Sequence, residues 1–170
     1  METYVQELKG ATDFVRQLFA DRGIALDYSP DSVRHLDALF REEFNRGQLI
    51  NDKGIFAQYQ GVIMTGISGY VAQVILQNTV QGQLSFEDDD ENWFINFCIE
   101  AENGWKIIPG HKVLKRAYYG EEEQLYAYVI TAISYLAAPR KIVHHPFAIL
   151  THREIKKNNT EMEKKWWKLW

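Results

Sequence analysis

At 170 residues the chain is long enough for one domain with a full core, and a hydrophobic content of 46% excludes disorder as its default state. The formal net charge of −4 hides an uneven split. Residues 1–138 carry 11 Lys/Arg against 20 Asp/Glu, a net of −9, while residues 139–170 carry 8 against 3, a net of +5. So acidic a body argues against nucleic acid as its partner.

Cys98 is the only cysteine, which rules out an intrachain disulfide and suits a reducing compartment. The first residues lack the basic segment and apolar run of a signal peptide. The most apolar run, Gly61 to Leu76, is shorter than the roughly 20 residues that cross a bilayer. The expectation is a cytoplasmic protein.

In chain order, residues 2–22 predict an amphipathic helix with Val5, Leu8, Ala11 or Thr12, Val15, Leu18 and Phe19 inward, closed by Gly23. Ser29-Pro30 starts a second helix, with Ser29 as cap and Pro30 in the first turn. Val33, Leu36, Leu39, Phe40 and Phe44 form its inner face, and Gly47 ends it. Asn51-Asp52 is then read as the cap of a third helix over 54–78.

From Gly54 to Phe86 the sequence holds no Asp, Glu, Lys, Arg or His. Apolar residues surround the 62–76 segment, so this helix is expected to be buried on most sides and to organise the fold. A glycine inside a helix costs about 0.5–1 kcal/mol relative to alanine. Gly61, Gly66 and Gly69 therefore call for a reason: close approach of another element, or a kink near Gly61.

Strand patterning follows. Gln83 to Phe86 leads into the acidic turn Glu87, Asp88, Asp89, Asp90 and Glu91. Trp93, Ile95, Phe97 and Ile99 alternate with Phe94, Asn96, Cys98 and Glu100, as in a half-buried strand. Asn103-Gly104 signals a two-residue type I′ hairpin, with Trp105 to Ile108 as the returning strand. A short helix from His111 to Tyr119 ends at Gly120. Glu121, Glu122 and Glu123 then place negative charge at the start of a last body helix, where the dipole favours it. Its inward stripe is Leu125, Tyr128 or Val129, Ala132, Tyr135 and Leu136, and Pro139 stops it. The fold class expected is α+β: five to six helices on one face of an antiparallel sheet of about three strands. Residues 1–138 form one domain. Residues 139–170 form a basic tail whose capping box at Thr160 to Glu163 starts a terminal amphipathic helix, docked on the body or on a partner.

The run Lys112-Val-Leu-Lys-Arg-Ala-Tyr-Tyr-Gly-Glu-Glu-Glu-Gln-Leu-Tyr-Ala-Tyr128 resembles a family of small bacterial domains of unknown function. There a Val-x-Lys-Arg helix, a glycine and an acidic helix start precede a Leu and a Tyr on the last helix. Gly69-Tyr-Val-Ala-Gln-Val-Ile75 and Asn92-Trp-Phe94 are similar to its glycine-bearing apolar helix and Trp-containing strand. The resemblance covers about residues 28–137. It implies an α+β fold and brings no known activity, and Gln73 stands where such domains often carry Glu.

No catalytic constellation stands out. Gly66-Ile-Ser-Gly69 lacks the second glycine spacing of a nucleophile elbow, since Tyr70 occupies that place. No Gly-Lys-Ser/Thr follows the glycines, so they make no phosphate loop. His144 and His145 are adjacent and would point to opposite faces of a strand, which is poor zinc geometry. No metal and no cofactor is expected. A charge run such as 87–91 reads either as a solvated loop or as a patch for a basic protein. Trp166, Trp167 and Trp170 among lysines read as a docking helix for the body, a second subunit or a partner, with membrane contact less expected. The function expected is a non-enzymatic interaction module of the bacterial cytoplasm, similar in size and acidity to toxin-neutralising immunity proteins and possible as a homo-oligomer. The alternative is a small-molecule binder or enzyme with a pocket between sheet and helices, lined by Tyr70, Gln73, Trp93, Asn96 and Trp105.

Overall fold

A computed structural model describes residues 2–79, 82–86, 91–102 and 104–137. The architecture among them is α+β, with six α-helices, a two-stranded and a three-stranded antiparallel sheet. Helix α1 (Glu2–Ala20) turns its Leu8, Thr12, Val15 and Phe19 inward and ends where Gly23, at φ 73°, donates to the Ala20 carbonyl. A 3-10 turn (Pro30–Ser32), capped by the Ser29 hydroxyl, leads into α2 (Val33–Glu43). The cap and the proline stand where the sequence put them.

After α2 the chain departs from expectation. Gly47 does not close a helix. β1 (Phe44–Asn45) and β2 (Gln48–Leu49) pair across Arg46 and Gly47, both at positive φ. That is the type I′ geometry expected at Asn103-Gly104. The expected hairpin is there too, but wider. The Ala101 N–H donates to the Trp105 carbonyl and the Gly104 N–H to the Ala101 carbonyl, so the chain reverses over a longer loop. Gly104 takes positive φ. This turn joins β4 (Cys98–Glu100) to β5 (Lys106–Ile107), and β3 (Gln83–Ser85) completes the sheet in the order β3-β4-β5.

Helix α3 (Ile55–Gln77) is the organising element. Every residue from Ile63 to Ala72 is buried. Its tightest neighbour is α1, and the glycines explain why. A Cβ at Gly66 would strike the Ala11 carbonyl and lie 2.6 Å from Val15 Cγ2. A Cβ at Gly69 would strike the Thr12 hydroxyl and lie 2.9 Å from Leu8 Cδ1. Gly61 meets nothing within 4 Å. The break in the helix falls two residues earlier, at Tyr59 (φ −138°, ψ 30°).

The strand expected from Trp93 onward is replaced in its first half by one helical turn, α4 (Trp93–Asn96). Alternation alone could not reveal this, because the cause is tertiary. Gly110, at the start of α5 (Pro109–Tyr119), lets the Ile95 backbone approach so closely that a Cβ there would sit 2.6 Å from Ile95 Cα. Gly120, at φ 82°, caps α5. A 3-10 turn (Gly120–Glu123) and α6 (Leu125–Ala137) follow. On α6, Leu125, Val129, Ala132 and Leu136 face the core, while Tyr135 is half exposed instead of inward.

The helix starts also differ from the local reading. Asn51-Asp52 does not cap α3 directly. The buried Glu43 carboxylate at the end of α2 accepts the Phe56 N–H, and the Asn51 amide donates to that same carboxylate and holds it. Glu121–Glu123 precede α6 as expected, and its first amides are capped by Asp37 of α2, which accepts the N–H groups of Leu125 and Tyr126, each at 2.9 Å. Both long-range caps satisfy amides that a helix leaves without partners in its first turn.

Candidate interaction surface

The acidic run at 87–91 is the strongest charge feature of the sequence. Residues 87–90 lie outside the described residues, but both flanks are defined. Phe86 follows β3, and Trp93 starts α4. Their ring centroids lie 6.3 Å apart. Tyr4, from the first turn of α1, stacks on Trp93 at 5.0 Å with 15° between planes, and approaches Phe86 at 6.0 Å. Phe97 closes on Phe86 at 5.9 Å, and Phe94 meets Trp93 edge-on. Five aromatic rings thus cluster around the described residues on either side of the run. Ring pairs of this kind contribute about 0.5–1.5 kcal/mol each beyond their buried area. Glu91 is exposed beside them.

The residues expected to line a pocket each have a different neighbour. Tyr70 is fully buried in α3. Its hydroxyl accepts the Tyr28 N–H at 2.9 Å and lies 2.6 Å from the Ser32 hydroxyl. Ser32 donates its own proton to the Ser29 carbonyl, so Tyr70 is the donor in that pair. Both hydrogen-bonding roles of this phenol are therefore used within the fold. Burial pushes its pKa up, and the bond to Ser32 works against that shift. The bonds hold Tyr28 at φ 64°, an uncommon conformation for tyrosine, with the Asn78 amide donating to its carbonyl. Gln73 is half buried one turn further along α3. Trp93 stacks on Tyr4, as above. Asn96 Oδ1 lies 2.9 Å from His111 Nε2, tying α4 to α5. Trp105 is 51% exposed and stacks on Tyr135 of α6 at 5.5 Å. Trp93 and Asn96 share the single turn of α4. Tyr70 and Gln73 share one turn of α3, and Trp105 lies across at α6.

Trp166, Trp167 and Trp170 lie outside the described residues, as does the capping box that was expected to start their helix. Among the described residues no helix is long and apolar enough to cross a membrane, and no cluster of three or more His, Cys, Asp or Glu could hold a metal ion.

What the sequence reading missed is a buried ionic node. Arg116 of α5 is 2% exposed and donates from Nε to Asp37 Oδ1 at 2.9 Å, and from its terminal nitrogen to the Asp37 carbonyl. With the two α6 amides, Asp37 gathers four donors from two elements. A signal did exist. Asp37 occupies an inward position on α2, between Val33, Leu36 and Phe40, where a charge requires a partner. Arg116 falls within the Val-x-Lys-Arg run on which the family resemblance rests. Comparison with protein-family models, with curated proteins and with solved structures finds no match to this chain.

Proposed function

We propose that this chain is a non-enzymatic protein-interaction module that engages a basic protein through the acidic turn at 87–91. The observation that carries this reading is the aromatic base just described. It gathers Phe86 and Trp93, the described residues on either side of a run of five consecutive carboxylates, with Tyr4 in one aromatic cluster. A body with a net charge of −9 adds a field of the same sign around it. Such a field raises the rate of encounter with a cationic partner and fixes its orientation, more than it adds raw affinity. Within this class the size and acidity are similar to those of immunity proteins that neutralise a basic toxin in the bacterial cytoplasm.

Affinity capture at low salt with the full chain, compared with a variant carrying Asp88→Asn, Asp89→Asn and Asp90→Asn, is the test. The wild type is expected to retain a basic protein that the neutral variant loses. A wild-type chain recovered alone, or equal recovery by both forms, overturns the reading.

A further inference from the structure

Helix α1 is packed over only part of its length. Its buried residues begin at Leu8 and recur at Thr12, Val15 and Phe19, where Gly66 and Gly69 admit it to the backbone of α3. Before Leu8 that packing stops. Glu2, Thr3, Val5, Gln6 and Glu7 are all exposed, and among the described residues no side-chain hydrogen bond or salt bridge holds any of them. Tyr4 is the exception. It is half-buried, and its ring stacks on Trp93 of α4 at 5.0 Å and approaches Phe86 at 6.0 Å. One aromatic contact thus ties the segment 2–7 to the body. A ring pair shifts an equilibrium by only about two- to tenfold, and helix ends are the parts that open first.

What this contact covers is chemically specific. Trp offers the aromatic face that attracts a cation most strongly, and Tyr4 occupies one face of Trp93. Carboxylates accompany both rings. Glu7, three residues on, shares the Tyr4 side of α1, and the exposed Glu91 precedes Trp93 by two residues. An indole face with carboxylates beside it suits a guanidinium, which stacks flat on the ring and keeps its edge donors for the acids. We propose that residues 2–7 form a latch over Trp93, closed by Tyr4 in the free protein, and that an arginine of the basic partner takes the place of Tyr4. The latch rests on the reading of the acidic run as the partner site, which Trp93 follows by two residues. A polycation that cannot stack gains nothing by opening it, so the latch adds a preference for arginine to the attraction of charge.

Binding of a fluorescently labelled hexa-arginine peptide to the full chain at low salt, read by anisotropy, tests the proposal. Tyr4→Ala is expected to bind roughly three- to tenfold tighter than wild type, because no ring has to be displaced. Trp93→Leu binds more weakly, and in the double variant the gain from Tyr4→Ala disappears. In the wild type, the peptide should speed hydrogen exchange at the amides of Gln6, Glu7 and Leu8, whose helical acceptors lie within the segment itself. That measurement needs no variant, so it decides even where a substitution prevents folding. Equal or weaker binding by Tyr4→Ala, a gain that survives without Trp93, or slowed exchange at those amides overturns the latch. So does a chain that ignores the peptide with and without Tyr4. Asparagines at 88–90 separate the two readings. Binding that they abolish but Tyr4→Ala leaves unchanged removes the latch and keeps the acidic run as the site. Binding indifferent to them but tightened by Tyr4→Ala removes the acidic run and keeps the latch.

Discussion

Asp37 and Arg116 show how much one inward-facing pair can fix. The carboxylate closes the start of α6, pairs with α5 and belongs to α2, so three helices share one buried charge. Asp37→Ala is expected to cost about 3–5 kcal/mol, because it leaves a buried guanidinium and two amides without their acceptor. Asp37→Asn costs less, since the amide oxygen still accepts. Urea unfolding of the two variants measures the difference, and a loss below about 1 kcal/mol for Asp37→Ala would refute the node. Tyr70 gives a second prediction at this scale. Its buried phenol stays neutral at a pH where the same phenol in the unfolded chain ionises. Its contribution is complete below about pH 10, the ordinary tyrosine value, and is lost as pH rises toward the elevated value in the fold. Burial raises Tyr128 in the same direction. The urea midpoint should therefore fall as pH rises above about pH 10, and Tyr70→Phe should fall less steeply there. A midpoint constant with pH would contradict this.

The glycines of α3 act through the elements they bring together. Gly66 and Gly69 allow α1 to lie against the helix at backbone distance, and neither site has room for a methyl group. Gly66→Ala is expected to destabilise by about 3 kcal/mol or more, since the atom it strikes is backbone and cannot turn aside. Gly61 has open space and lies within the helix. Gly61→Ala should stabilise by about 0.5–1 kcal/mol. Melting curves of the pair, opposite in sign, separate a packing glycine from one that is merely tolerated. The same argument explains α4. The backbone contact with Gly110 forms a helical turn from a sequence that alternates like a strand.

At the scale of the whole molecule, charge is unevenly arranged. Among the described residues, three of the six exposed or half-exposed ion pairs join residues three or four apart in sequence, and such pairs add little to stability. An excess of one sign of charge acts instead on the rate of encounter with charged partners. If the acidic turn recruits a basic partner, raising salt from about 50 to about 300 mM should slow association strongly while changing dissociation little. Stopped-flow or surface-binding kinetics read the two rates apart, and an association rate insensitive to salt would count against the electrostatic reading.

The sequence by itself determined the α+β class, the burial of α3, the cap at Ser29, the ends at Gly23 and Gly120, the inward stripe of α2, and that of α1 apart from Val5, which is exposed. These follow from local rules: hydrophobic period, proline and glycine geometry, and side-chain caps within a turn. It also carried the acidic run between Phe86 and Trp93. Only the tertiary structure decided which carboxylates cap α3 and α6, because Glu43 and Asp37 reach across the chain to do it. Only tertiary contact made a helix of Trp93–Asn96, put the two-residue hairpin at Arg46-Gly47, and sent Tyr70 inward to Tyr28 and Ser32. The reason is the same in each case: a local pattern fixes period and turn chemistry, whereas the partner of a buried charge, hydroxyl or backbone is chosen by what packs against it.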